Sequence, residues 1–269
     1  MNFGLIIIGD EILSGKRADK HLAKAIELLS SRGLQLGYAD YVGDAPDRIT
    51  ATLKRAFASG DVVFSFGGIG ATPDDHTRQC AARALGRELT LNPQAEALIR
   101  ERMQDLAREQ GVPYEPDRDD NQHRLNMGMF PVGAQTIPNP FNKIPGFSCT
   151  GVDGGAVYFV PGFPVMAWPM VEWVLDTHYA HLFNRGAWCE QSVIVFGAME
   201  AALTPLMEAI EHQHPVKVFS LPSVDHAEYG RHIELGVKGS PAAVATAYAA
   251  LRAGLQGLQA RLGPELVRN

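Results

Sequence analysis

The chain has little of what marks a secreted, membrane-embedded or nucleic-acid-binding protein. Only three of its 269 residues are cysteine: Cys80, Cys149 and Cys189. They are far apart and form no CxxC pair, so neither a disulfide framework nor a zinc site is expected. Such cysteine usage fits a reducing compartment. No apolar run approaches the ~20 residues of a membrane span. The N-terminus runs straight into a strand-like segment, without the basic start and cleavage site of a signal peptide. A cytoplasmic location follows as the expectation. A basic excess is also missing, with 24 Lys and Arg against 30 Asp and Glu and a net charge of −6. Nucleic acid is therefore not an expected partner. An anionic small molecule is still compatible with this balance, because backbone amides supply local positive potential.

Several catalytic signatures are absent as well. No Gly-Lys-Ser/Thr follows a glycine loop, and no GxGxxG dinucleotide fingerprint occurs. No GxSxG elbow surrounds a serine. No Arg-Glu-x-x-Glu-Glu run is present, and the nine histidines show no metal-ligand spacing.

What is present is an alternation of strands and helices. Leu5 to Ile8 is fully apolar and ends at Gly9-Asp10, as in a strand buried on both faces of a parallel sheet. Asp19 is placed to cap a helix with Leu22, Ala25, Ile26 and Leu29 on its apolar face. Leu36 to Val42 reads as a strand. Asp44 and Pro46 open a helix whose buried stripe is Ile49, Leu53, Ala56 and Phe57. Val62 to Phe66 is a further strand, followed by Gly67-Gly68-Ile69-Gly70 and a helix expected from Thr72-Pro73 to about Gly86. Pro93 to Gln110 reads as a helix and 111 to 126 as a loop. Val157 to Val160 is another buried strand, ending at Pro161-Gly162-Phe163-Pro164, with a helix to about Phe183. This order predicts an α/β fold with a mostly parallel sheet. After a junction near Arg185-Gly186 the pattern restarts as a small β-α-β-β-α module, its last helix running from Pro241 to about Leu262. The expected domains are 1–185 and 186–269.

Three core strands thus end in unusual loops, and ligands of open parallel sheets bind beyond such carboxyl ends. The glycine loop, placed before an expected helix N-terminus, is suited to a phosphate. Thr72 and Asp75 are spaced as an acidic capping box, and Asp74 suits the helix dipole. Asp10 closes an apolar strand, where a carboxylate must be hydrogen-bonded or bind a metal.

The segments GDEILSGKRAD, DVVFSFGGIGATPDDHT, NPFNKIPGF and PGFP occur in the order found in the N-terminal molybdopterin-binding-type domain of the CinA (competence/damage-inducible protein A) family. The chain resembles that family most over Gly4 to about Gly86 and more weakly to Phe183. The resemblance implies a three-layer α/β sandwich and a site using Asp10, Glu11, Ser14, Gly67, Gly68, Gly70, Thr72, Asp74, Asp75, Asn139, Pro161 and Gly162. It implies a phosphorylated nucleotide or pterin as ligand, with molybdopterin one candidate, and self-association into a homo-oligomer. From the CinA branch comes the expectation of a metal-dependent hydrolase of the ADP-ribose pyrophosphatase type. In that reading Asp10 and Asp75 hold a divalent cation such as Mg²⁺ and are the catalytic pair. The alternative is a non-hydrolytic molybdopterin-binding protein of molybdenum cofactor metabolism. The sequence ends before the amidohydrolase domain of that family, so deamidase activity is not expected. Four places depart from the family pattern: His21, Ala71, Asn142-Lys143 and Met166.

Overall fold

The computed structural model describes residues 2–184 and 188–268. The expected junction at Arg185-Gly186 lies outside the described residues. The chain divides into two compact units, Met1–Phe183 and Asn184–Asn269.

The first unit is built on a six-stranded sheet. Its strands are β1 (Phe3–Ile8), β2 (Leu36–Val42), β3 (Val62–Phe66), β6 (Gln135–Ile137), β7 (Gly146–Thr150) and β8 (Ala156–Val160), in the order β2-β1-β3-β8-β7-β6. The first four run parallel, and β7 turns antiparallel against β8. Between β3 and β6 in the chain, β4 (Leu89–Leu91) and β5 (Met129–Pro131) form a separate antiparallel pair. A single helical turn, α1 (Asp10–Leu13), leaves the end of β1. Successive side chains point to opposite faces of a strand, so the apolar run of β1 serves two cores. Phe3, Leu5 and Ile7 pack with Leu28 and Leu29 of α2 (His21–Ser30) and Met170 and Val174 of α7 (Pro164–His178). Ile6 and Ile8 face Leu53 and Phe57 of α3 (Pro46–Ala58), Ala81 of α4 (Thr77–Leu85) and Ala95 of α5 (Pro93–Gln110). The result is a three-layer α/β sandwich. It places the carboxyl ends of β1, β3 and β8 side by side.

Local chemistry sets the helix ends. Asp19 caps α2, its carboxylate accepting the His21 and Leu22 amides at 2.8 and 3.1 Å. Asn92 caps α5 by accepting from Gln94 and Ala95, with Pro93 in the first turn.

The structure corrects several expectations. Ile26 is largely exposed, and α2 instead buries His21 and Leu28. Asp44 does not cap α3, whose N-cap is Ala45. Residues expected as loop include a short helix α6 (Asp119–Arg124). Most important for the site, α4 begins at Thr77, five residues after Thr72. Thr72 and Asp75 close a turn instead, the Asp75 amide donating to the Thr72 carbonyl at 3.0 Å.

The second unit runs β9 (Cys189–Phe196), α8 (Glu200–Gln213), β10 (Lys217–His226), β11 (Gly230–Gly239), α9 (Pro241–Gly257) and β12 (Arg261–Arg268). Its sheet order is β10-β11-β9-β12, the split β-α-β arrangement. Helix α9 stops at Gly257, and β12 is a strand the sequence pattern did not predict.

Candidate functional site

The ends of β1, β3 and β8 open onto a cavity of about 460 Å³. Of the expected residues, Glu11, Gly67, Gly68, Gly70, Thr72, Asp74, Asp75, Asn139, Pro161 and Gly162 line it. Asp10 and Ser14 do not. They line an adjoining, more open depression with Glu11, Asp44 and Asp74, which line both spaces.

The glycine loop makes the floor. Gly67 has φ +98°, and its amide donates to the Val160 carbonyl at 3.1 Å. Gly68 follows with φ +67°. Thr77, the first residue of α4, holds both by donating its hydroxyl to the Gly67 carbonyl at 3.1 Å and its amide to the Gly68 carbonyl at 3.0 Å. Beneath the loop lies Arg78, only 3 % exposed. Its guanidinium donates to the carbonyls of Ile69 and, at 2.6 Å, Gly70. Burial lowers its pKa to about 10, still leaving it charged at neutral pH. With their carbonyls held from below, the loop residues keep their amides available. Among the described residues, the N–H groups of Gly68, Ile69, Gly70 and Ala71 find no acceptor within the protein.

Carboxylates form one side of the cavity. Asp75 Oδ2 accepts the Thr72 amide at 2.8 Å and lies 2.6 Å from the Thr72 hydroxyl, which also reaches Asp74. That contact with Thr72 lowers the pKa of Asp74. Asp44 and Asp10 form a reciprocal pair: Asp44 accepts the Asp10 amide at 2.9 Å, and Asp10 accepts the Asp44 amide at 3.1 Å. Asp10 is exposed, not buried as its place after β1 implied. Burial raises the pKa of Asp44, and the neighbouring Asp10, Glu11 and Asp74 push in the same direction. Among the described residues, Arg17 is the single basic side chain lining this cavity.

Apolar side chains also line the cavity: Met127, Ile144, Pro145, Phe163 and Met166. Asn139, 4 % exposed, acts as a clamp on the 139–146 loop. Its amide group donates to Asn142 Oδ1 at 2.8 Å and the Ile144 carbonyl at 2.9 Å. Two of the positions that depart from the family pattern touch here, Asn142 donating to the Met166 sulfur at 3.3 Å. A third, Lys143, has φ +66° and ties the loop to α5 through Glu101 and Asp105, each at 2.6 Å. Sequence reasoning missed Arg17, Asp44 and most of the apolar lining. The signal for Asp44 was its position at the end of β2, beside the end of β1.

The two carboxylates expected to hold a metal are tied into separate loops. Asp75 lines the main cavity and Asp10 the depression beside it, and each is engaged by a backbone amide. Among the described residues no group of three or more His, Cys, Asp or Glu is arranged as a metal cage. Each carboxylate braces its own loop through that amide contact. Asparagine at position 75 keeps an oxygen for the Thr72 amide. Asp75→Asn is accordingly expected to lower stability by no more than ~1 kcal/mol, read as the denaturant midpoint. A loss several times larger would show that the negative charge itself holds the loop.

Comparison with known proteins identifies a family. The family model described as a probable molybdopterin binding domain matches residues 4–181. A protein of Pyrobaculum calidifontis is 30% identical over 212 residues, which cover 78% of this chain and 76% of that one. A CinA-like protein of Geobacter metallireducens is 31% identical over 222 residues, covering 80% of this chain. The chain spans about half the length of that relative, 50%. Among solved structures, a protein CinA of unknown function from Thermoplasma acidophilum superposes with a TM-score of 0.54 at 28% identity, covering 65% of this chain and 96% of that one. These findings correct the expectation of an ADP-ribose pyrophosphatase-type hydrolase, because the matching family is defined by molybdopterin binding. Among the described residues no helix is long and apolar enough to cross a membrane. From the family match over most of the first unit, together with a cavity at the ends of its parallel strands, the chain belongs to the family of probable molybdopterin binding domains and is similar to CinA-like proteins.

Proposed function

We propose that the chain binds a phosphorylated pterin of the molybdopterin class, without hydrolysing it, as a component of molybdenum cofactor metabolism. The observation that carries this is the pairing of two kinds of polar group in one cavity. The free amides of Gly68 to Ala71 offer donors, and Glu11, Asp74 and Asp75 offer acceptors. A pterin presents both on its edge: an amino group and a ring N–H donate, while the carbonyl oxygen and ring nitrogens accept. Its flat faces need apolar cover, which Met127, Ile144, Phe163 and Met166 provide. A volume of about 460 Å³ suits a molecule of that size.

The family membership supports the same ligand class. Neopterin, a stable fluorescent pterin, is a direct probe. Saturable quenching of its fluorescence is expected, with the pterin recovered unchanged. No saturable binding at millimolar pterin overturns the reading.

A further inference from the structure

Resting on the pterin reading of the main cavity, we propose that the ligand's phosphate does not sit on the glycine loop but in a second compartment behind Gly162, between Arg17 and Lys20. The glycine loop is poorly placed for a phosphate. Helix α4 begins at Thr77, so no helix N-terminus backs the amides of Gly68 to Ala71. The main cavity also carries Glu11, Asp44, Asp74 and Asp75 against, among the described residues, Arg17 alone. A phosphate there would meet several carboxylates at close range, and at a few ångströms each like-charge contact costs on the order of 1 kcal/mol or more.

Next to it is a smaller cavity of about 260 Å³. Ile8, Glu11, Arg17, Gly162 and Phe163 line both spaces, so the two adjoin. The balance of charge is opposite in the smaller one, where Arg17 and Lys20 face only Glu11. Arg17 leans toward Glu11 at 3.8 Å, a loose pairing between exposed side chains that leaves its donors free to turn to another anion. His21 also lines the smaller cavity. The residue is 5 % exposed, is stacked on Phe66 with centroids 4.4 Å apart, and lies 3.1 Å from the Gly162 carbonyl through Nε2. Its Nδ1 has no hydrogen-bond partner among the described residues. The pterin ring in the acidic, amide-floored cavity and the phosphate in the basic one make a two-part site with complementary charge at each end.

The test compares neopterin with neopterin monophosphate on the full chain and on two variants. Lys20 is exposed and lines only the smaller cavity, so Lys20→Met leaves the pterin cavity intact. The wild-type chain is expected to bind the monophosphate at least tenfold more tightly than neopterin, a preference that weakens as salt is raised. Lys20→Met is expected to abolish most of that preference without changing neopterin affinity, and Lys20→Arg to restore it. If both probes bind the wild type equally, or if Lys20→Met weakens both alike, the second compartment is not a phosphate site and the pterin reading stands. If neither probe binds, both proposals fall.

Discussion

Gly67→Ala is expected to lower stability by about 4 kcal/mol and to remove ligand binding from whatever fraction still folds. Two costs add. Gly67 sits at φ +98°, where an L side chain is strained by roughly 1–3 kcal/mol. A Cβ there would also lie 2.5 Å from the Ile8 carbonyl oxygen, a contact no real Cβ makes. That oxygen belongs to β1, which is locked between β2 and β3, and Gly67 is itself bonded to Val160 of β8. Neither side has room to yield, so overpacking adds roughly 1–3 kcal/mol. Gly86 is an internal control. It ends α4 at φ +63°, yet a Cβ added there would meet nothing within 4 Å. Gly86→Ala should therefore cost about 1 kcal/mol, the left-handed strain alone. Urea unfolding of both variants separates the terms. Equal losses would mean that the approach to Ile8 is not tight.

Arg78→Met is expected to lower the unfolding midpoint by about 10 °C, corresponding to about 3 kcal/mol. Methionine fills much of the same space, so the loss falls mainly on hydrogen bonding. The carbonyls of Ile69 and Gly70 would lose a charged donor inside the protein, and unsatisfied groups of this kind cost ~1–3 kcal/mol each. Arg78→Lys should recover part of the stability, since an ammonium keeps the charge but cannot fork to two carbonyls with the same rigidity. Pterin affinity should follow the same order, because the guanidinium fixes the peptide groups whose amides face the cavity. Full stability with unchanged affinity in Arg78→Met would remove the guanidinium from any role in shaping the loop.

Strands β1, β3 and β8 were legible in the sequence because burial on both faces leaves an apolar run, as in Leu5 to Ile8 and, interrupted only by Ser65, in Val62 to Phe66, whereas β4 to β7 were hidden by their shortness and by the Pro, Gly and Asn around them. The site loops at the ends of β1, β3 and β8 were legible for the same reason as the strands, since each follows such a run directly. The start of α4 was not. Thr72-x-x-Asp75 makes similar local hydrogen bonds whether it opens a helix or closes a turn, and only the anchoring of the loop by Thr77 and Arg78 decides the matter. Strand β12 was hidden by Gly263-Pro264, which reads as a breaker. It is tolerated because β12 is an edge strand and the pair falls within a register shift between Leu262 and Glu265. The exposure of Asp10 was not legible, because a strand end does not show whether the next side chain turns inward. The reciprocal bond with Asp44 is a long-range pairing that neither local pattern contains.

The order of strands also governs when the protein becomes competent. Strand β3 pairs with β8, Val62 lying against Ala156, across a long stretch of intervening chain. Closing so large a loop is entropically costly and comes late in folding relative to local β-α-β pairing. The half made of β1, β2 and β3 would acquire its strand ends early, but it lacks Pro161, Gly162 and Phe163, which follow β8. Ligand would therefore meet no affinity in the half-folded chain and would act only on the closed sheet, slowing its reopening. Its presence should lengthen the lifetime of the native state and leave the rate of reaching it unchanged.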